Sequence, residues 1–511
     1  MSNGHDGGCF IFLLGIAIVP GCIHFTQLLP LSLCVGGGYN GINVNIKMHF
    51  EFHRMRSQKS FTLIELLIVT LKKTMQRIVS GGRQASSFTL IELLIVTPQR
   101  KLLRSFQRGK SASSFTLIEL LIVIGILAIL VAAVVVVLDP AQLLAQARDS
   151  KRQQDLSALN QALNTVYALD QTVSFGTSSI VYTSLPDSSS TCGSWGLPSL
   201  PTGWTYNCVP TSTLQNTNGT GWIPVNFQSN GVVNLSSLPT DPVNSSSTGL
   251  YYTYVTGGSF ELTAAFESTK YKMGGGNDQA STDGGSYPDL YELGSNLSLQ
   301  PIDHGDPSLV GYWPLNEGTG TIAYDRSGNN NNGIWVGTAP YWGGSPTSGY
   351  FSGSTTCNSI GTSTLFRSLL SNFSVTVWFN STATQSKRLV SKGYVAQWEF
   401  ELRGNNCLGM NFNNSGTNYF LSNQYCGLQN NVWYQATFVI NNNTLYTYLN
   451  GSLVKMTTLP AALMQSTNPL VIGSYNSCSA DGTFSGYIFG VRIYNRALSA
   501  SEIQALYNAT K

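Results

Sequence analysis

The sequence predicts an α+β unit, one long N-terminal helix with a small antiparallel sheet, followed by an all-β two-sheet sandwich. Three observations carry that reading. Residues 115–138, FTLIELLIVIGILAILVAAVVVVL, are apolar apart from Thr116 and Glu119, a run long enough to span a bilayer as a helix. Leu156, Leu159, Leu163 and Val166 recur at three- and four-residue spacing, which lines one face of a helix. Beyond residue 308, short strand-like runs alternate with turn signals at the spacing of a sandwich. At 511 residues the chain is too long for one core, and two or three folded units are expected.

Residues 1–114 read as a leader or extension outside the mature chain. The first apolar stretch, residues 9–35, is interrupted by Pro20, His24 and Pro30. The decapeptide SFTLIELLIV occurs at 60–69, 87–96 and 114–123, each copy offset by 27 residues. A fixed repeat usually signals a solenoid. Here the first two copies break off into TLKK and TPQRK, which leaves each apolar run too short to cross a membrane. We read them as remnants of local duplication; the alternative is a genuine N-terminal extension.

A basic, serine-rich lead-in (Lys101, Arg104, Arg108, Lys110, then Ser111 to Ser114) precedes the third copy. A carboxylate within an apolar span costs roughly 2.5–3.5 kcal/mol at a helix centre, so Glu119 needs a partner. The run FTLIELLI resembles the N-terminus of type IV pilins and pseudopilins, whose mature chains begin with Phe and carry Glu at the fifth position. Here those are Phe115 and Glu119. The resemblance implies that a prepilin peptidase cuts after Ser114, where the family usually has Gly, and that Phe115 is then methylated. It implies assembly with other pilin-like subunits, Glu119 neutralising a neighbour's terminal amine. It also implies a single-pass precursor in the inner (cytoplasmic) membrane, then a place on the cell surface or in an extracellular filament.

The pilin-like unit is expected over residues 115–299, with a helix over about 115–169 and a β head over about 171–299. Pro140 is expected to bend the helix without ending it, giving about 80 Å at ~1.5 Å per residue. The head contains Cys192, Trp195, Trp204 and Cys208, then strand-like runs at 251–255 and 260–266. The stretch 238–268, LPTDPVNSSSTGLYYTYVTGGSFELTAAFES, resembles the C-terminal β-meander of pseudopilins. In relatives an adjoining acidic loop holds calcium, an oxygen-seeking ion, and Asp278, Asp283 and Asp289 are its counterparts. The residues by themselves read as solvated turn acids beside glycines.

Residues 300–307, QPIDHGDP, read as a linker, polar and rich in proline. From 308 to 511 the second unit follows. LVGYWPLNEGTGTIAYDRSGNNNNG at its start and FSGYIFGVRIYNRALSASEIQALYN at its end resemble laminin-G-like, concanavalin-type jelly-roll domains. Between them Asn450-Gly451 is a strong hairpin signal.

Candidate chemistry in this unit is sparse. Glu399 and Glu401, in QWEFEL, share one strand face because side chains alternate. Paired carboxylates serve glycoside hydrolysis, but the third acid and the aromatic subsites of such enzymes are missing here, so a solvated outer face is expected. The one histidine beyond residue 115 is His304, in the linker, which leaves a Ser-His-Asp triad without its base. Asp325 in YDRSGNNNNG, with Asn329, is the calcium candidate; an Asx turn explains Asp325 equally. Trp335 and Trp342, with Tyr341, cluster by a glycine-rich loop, and Tyr394 flanks another beside Trp398. These rings are candidates for stacking on sugar faces, although most sandwich tryptophans are core.

Charge and cysteine usage agree with export. From Phe115 onward 15 Lys and Arg face 21 Asp and Glu, a net −6, and the other 13 basic residues lie between Lys47 and Lys110. A basic lead-in retained inside obeys the positive-inside rule. The exported part has no basic run, so no nucleic-acid partner is expected. Six of the nine cysteines, Cys192, Cys208, Cys357, Cys407, Cys426 and Cys478, lie in it, an even number that suits an oxidising compartment. Pairing 192 with 208, 407 with 426 and 357 with 478 keeps every bridge within one unit. Together these readings favour a non-catalytic pilin-like surface protein, a minor or tip subunit whose jelly roll binds a glycan or surface protein. The alternatives are a pseudopilin of a secretion or DNA-uptake system and a membrane-anchored glycoside hydrolase.

Overall fold

The computed structural model describes residues 116–511, apart from 170–171, 229–230, 232, 234, 339–340, 385, 394–395, 405, 476–477 and 479–481. It also describes the backbone of three short strands ahead of them: β1 (Ala17–Val19), β2 (Cys22–Phe25) and β3 (Leu31–Cys34), joined antiparallel in that order. The expected processing point at Ser114 and Phe115 lies outside the described residues.

Two helices follow. α1 spans Leu117–Leu138 and α2 spans Pro140–Leu169. The expectation of one bent helix is corrected here: the chain breaks at Asp139, whose φ is +39°. Proline fits the first helical position, where its missing N–H would have had no partner. Asp139 then serves as the cap, its carbonyl accepting from Leu143 N at 3.2 Å and its Oδ1 from Gln142 N at 3.3 Å. The described α1 side chains from Leu117 to Val131 are exposed or half-buried and almost all aliphatic. Among the residues whose side chains are described, no helix is long and apolar enough to cross a membrane; those of α1 stop at Val131.

α2 lies on a five-stranded sheet of β4 (Ile180–Pro186), β5 (Thr205–Val209), β6 (Thr253–Thr256), β7 (Phe260–Ala265) and β8 (Leu290–Gly294). The strand order is β5-β4-β6-β7-β8, with β4 and β5 parallel and the other pairs antiparallel. The apolar face of α2 (Leu156, Leu159, Leu163 and Val166) is buried against Trp222, Tyr252, Tyr254 and Leu262. Polar groups fix the register of the helix on the sheet. Arg152, fully buried, reaches Asp149 at 2.7 Å, Asp241 at 2.5 Å and Glu267 at 2.7 Å. Charge pairs of this kind hold only when every member is matched, because a stranded buried charge costs several kcal/mol.

Residues 300–307 are not a solvated tether, which corrects the linker reading. Gln300, Ile302, Asp303 and His304 are all buried. Asp303 N donates to Arg326 O at 2.7 Å, Arg326 Nη1 to Pro301 O at 3.0 Å, and the His304 ring stacks on Tyr251 at 4.8 Å. Around this segment Leu250, Ala265, Tyr287 and Leu290 join Leu309, Tyr312, Val439, Tyr494 and Ile503 in one apolar cluster. Proline and polarity in the sequence carried the linker reading; burial came from the surfaces that meet there.

The C-terminal region is an all-β sandwich. Its strands are β9 (Leu309–Trp313), β10 (Ile322–Ala323), β11 (Gly333–Val336), β12 (Trp342–Gly343), β13 (Ser348–Ser352), β14 (Cys357–Gly361), β15 (Asn372–Ser381), β16 (Lys387–Ser391) and β17 (Glu399–Arg403). The chain continues with β18 (Cys407–Asn414), β19 (Thr417–Tyr425), β20 (Trp433–Asn441), β21 (Thr444–Leu449), β22 (Ser452–Thr458), β23 (Leu470–Ile472) and β24 (Ser485–Tyr494). One sheet runs β10-β11-β14-β23-β16-β17-β18-β19; the other runs β12-β13-β24-β15-β20-β21-β22, with β9 also paired to β24. Phe400 and Phe438 stack across the core at 4.2 Å, beside Trp313, Phe351 and Trp398.

Two short helices complete this region. α3 (Thr364–Arg367) is capped by Ser363. α4 (Ala500–Thr510) starts on a capping box, Ser499 with Glu502, which satisfies two otherwise unpaired donors. Tyr507 of α4 stacks on Trp378 of β15 at 5.7 Å. Val439 and Tyr448, on β20 and β21, sit in the apolar cluster around residues 300–307. The second sheet is therefore covered on its outer face. The first carries its polar side chains outward.

Candidate functional site

The outer face of the first sheet is built by strand alternation. In β17, Phe400 and Leu402 turn into the core, so Glu399, Glu401 and Arg403 turn the other way. Register then assembles their neighbours: Asn411 lies opposite Glu399, Gly409 opposite Glu401, Arg388 opposite Glu401, and Phe420 opposite Asn411. Arg388 Nε sits 3.4 Å from Glu399 Oε2 and 3.6 Å from Glu401 Oε2, while Arg403 Nε lies 2.8 Å from Glu401 Oε1. Asn411 Nδ2 donates to Glu399 Oε2 at 3.4 Å. Arg388 stands over the Tyr475 ring at 5.1 Å and Arg403 over Phe420 at 4.5 Å.

The two glutamates are therefore not solvated, as the sequence reading had them; they are 0% and 1% exposed. Neighbouring strands and the two guanidinium groups cover them. Burial pushes the Glu401 carboxyl up, while Arg388 and Arg403 pull it down. Glycoside hydrolysis asks one carboxyl to keep a proton and its partner to stay anionic. Here one guanidinium lies between both carboxylates, an arrangement of matched charges.

The other expected site residues are dispersed. Asp325 is saturated by its own loop and β9: Oδ1 accepts from Tyr312 N, Ser327 N and Ser327 Oγ, and Oδ2 accepts from Asn331 N. Asn329 Nδ2 donates to Leu309 O and Ser327 Oγ, both at 3.1 Å. A calcium ion there would have to displace these donors, so the geometry is that of an Asx turn, which corrects the metal reading. Asp278 likewise accepts from Gly274 N and Ser281 N, and Asp283 from Gly285 N and Glu292 N. Burial pushes the Asp283 carboxyl up to about 7. Among the described residues no three or more His, Cys, Asp or Glu are arranged to hold a metal ion.

Trp335 is core, which corrects its assignment as a ligand-stacking ring. It is 4% exposed and stacks on Tyr341 at 5.4 Å. Trp342 is half-buried and donates from Nε1 to Gly320 O at 3.1 Å. Tyr394 and the side chain of Glu119 lie outside the described residues. Disulfides join Cys192 to Cys208, Cys357 to Cys478 and Cys407 to Cys426. Sequence reasoning passed over Arg388, Arg403, Asn411 and Phe420. Arg403 continues the Glu399–Glu401 alternation and was legible in that sense; the other three needed strand register.

Comparison with known proteins agrees with these two ends of the chain. A family model for the prokaryotic N-terminal methylation motif matches residues 109–135. A second, Laminin_G_3 of the concanavalin A-like lectin/glucanases superfamily, matches residues 352–504. No curated protein matches. Among solved structures, domain 4 of AbnA, a GH43 extracellular arabinanase from Geobacillus stearothermophilus, in complex with arabinotriose, is 18% identical. That match covers 39% of this chain and 98% of the other, with a TM-score of 0.32. The binding domain of Paraclostridial Mosquitocidal Protein 1 is 16% identical over 40% of this chain and 52% of its own, with a TM-score of 0.31. A Trypanosoma rangeli sialidase is 14% identical over 40% of this chain and 32% of its own, also with a TM-score of 0.31. The chain thus spans about half or less of the last two. This polypeptide joins a type IV pilin-like N-terminal methylation motif to a laminin-G-like, concanavalin A-like sandwich.

Proposed function

We propose that this is a non-catalytic, membrane-anchored pilin-like protein whose sandwich recognises a glycan or protein on another surface. The observation that supports it is the order of parts: a methylation motif running into the apolar α1, and a lectin-like sandwich at the far end. In this reading residues 1–114 are removed, 115–299 form the pilin-like unit, 300–307 the connection and 308–511 the jelly roll. The helix would hold the precursor in the inner membrane, and Glu119 would meet the terminal amine of a neighbouring subunit. A bulky C-terminal unit suits a minor or tip position in a cell-surface filament.

The buried connection at 300–307 favours a second reading, a pseudopilin-like assembly subunit, since a rigid joint transmits load. Three measurements test the first reading. Mass spectrometry of the mature protein should find a methylated Phe115 at its N-terminus; an intact residue 1 would overturn the processing step. Glycan-array binding by the full chain in detergent should detect a ligand, and silence on every glycan and cell surface tried would leave only the assembly reading. Release of reducing ends from a polysaccharide would overturn the non-catalytic assignment.

A further inference from the structure

The two halves of the exported chain differ in charge. Residues 308–511 hold ten Lys and Arg against six Asp and Glu, a net +4, whereas 115–307 hold five against fifteen, a net −10. The five described acids of the sandwich are also withdrawn from its surface. Asp325, Glu399, Glu401 and Glu502 are buried, and Glu317 is half-buried. Of its ten cations, only Lys392 and Arg492 are buried. Among the described residues its surface charge is therefore mainly positive.

Two of those cations are anchored to one strand, β19, which forms an edge of the first sheet. Arg403, with a third of its side chain exposed, is held by Glu401 and stands over Phe420. Its Nη1 also donates to Ser422 Oγ at 3.4 Å. Lys455, on β22 of the other sheet, donates from Nζ to Asn423 O at 2.8 Å. Phe420 and Tyr425 on the same strand are 48% and 38% exposed. Both cations thus lie along the same edge strand as these two rings.

We infer that this β19 edge binds an acidic polysaccharide. The inference rests on the surface-recognition reading above and narrows its ligand class. A uronate-type sugar carries one carboxylate beside an apolar ring face. The carboxylate matches a fixed guanidinium fork or an ammonium, and the ring face matches an exposed aromatic. A neutral sugar carries no charge for either cation to meet. Nucleic acid is bound through denser basic runs, and the sandwich has none.

The test uses the full chain in detergent micelles with three probes: polygalacturonate, a neutral dextran and single-stranded DNA. Polygalacturonate should bind, and should weaken as salt rises because exposed charges are screened. Lys455→Gln and Arg403→Gln should each weaken it about fivefold, and Phe420→Ala comparably, while Lys511→Gln, just past the end of α4, leaves it unchanged. Lys455→Gln keeps the test open should Arg403→Gln misfold, since the Lys455 ammonium rests on a backbone carbonyl. Equal binding of dextran, unaffected by Lys455→Gln, overturns the acidic-ligand inference and leaves surface recognition standing. Equal binding of DNA shows undirected charge attraction and also overturns it. Absence of binding to any polysaccharide overturns both.

Discussion

Arg152 shows how much one residue can decide. It lies on the buried face of α2, and its guanidinium is shared by Asp149, Asp241 and Glu267. Arg152→Met would leave Asp149 and Asp241 without their cation and Glu267 with Arg148 alone. The expected loss is about 3–5 kcal/mol, read from denaturant unfolding of the full chain; a loss well under ~1 kcal/mol would show the acids finding other partners. Glu267 titrates in step with this network. Burial raises its carboxyl, but Arg148 and Arg152 outweigh that and hold it below its ordinary value. A depressed acid stabilises above its unfolded value, so this contribution fades as pH falls through the folded one.

His304 has the same sign for a different reason. Burial lowers its imidazole to about 4, so the folded chain prefers the neutral ring. Its contribution is complete above the ordinary value near ~6.5 and is lost as pH falls through about 4. Asp303 beside it works oppositely: burial pushes its carboxyl up to about 6, so stability declines as pH rises towards that value. His304→Gln should therefore keep its melting temperature better than the parent between pH ~6.5 and ~4. Parallel melting-temperature curves for the two proteins would refute the assignment.

Among the elements, α4 and the β21–β22 hairpin follow local chemistry most closely. Ser499 accepts from Glu502 N while Glu502 reaches back to Ser499 N at 2.8 Å. Ser499→Ala should cost about 1 kcal/mol, seen as a lower melting temperature with the β signal in circular dichroism unchanged. An unaltered melt would mean that Tyr507 stacking alone holds the helix. At the hairpin, Asn450 and Gly451 have φ of +50° and +79°, the paired positive angles of a type I′ turn. The α1–α2 break is the contrary case. Proline alone suggested a kink, but Asp139 supplied a cap, and capping made ending the helix cheaper than bending it.

Across the whole molecule, the segment 300–307 separates what can be read from composition and what cannot. Its buried side chains and backbone bonds to Arg326 predict that proteinase K leaves it intact under native conditions. Rapid cutting there, releasing a C-terminal fragment of residues 308–511, would show a free tether instead.

The sequence by itself determined the membrane-length apolar run, the amphipathic face of α2, the methylation motif, the sandwich class and the Asn450-Gly451 turn. Each of these depends on neighbours within a few positions, where periodicity and backbone preference act. Only the tertiary structure decided that Glu399 and Glu401 are buried against Arg388 and Arg403, that Trp335 is core and Asp325 a loop cap, and that Arg403 and Lys455 both reach the strand β19. Those outcomes depend on strand register and on which surfaces cover which. A side chain's partners across a sheet lie tens of residues away, and no local spacing encodes them.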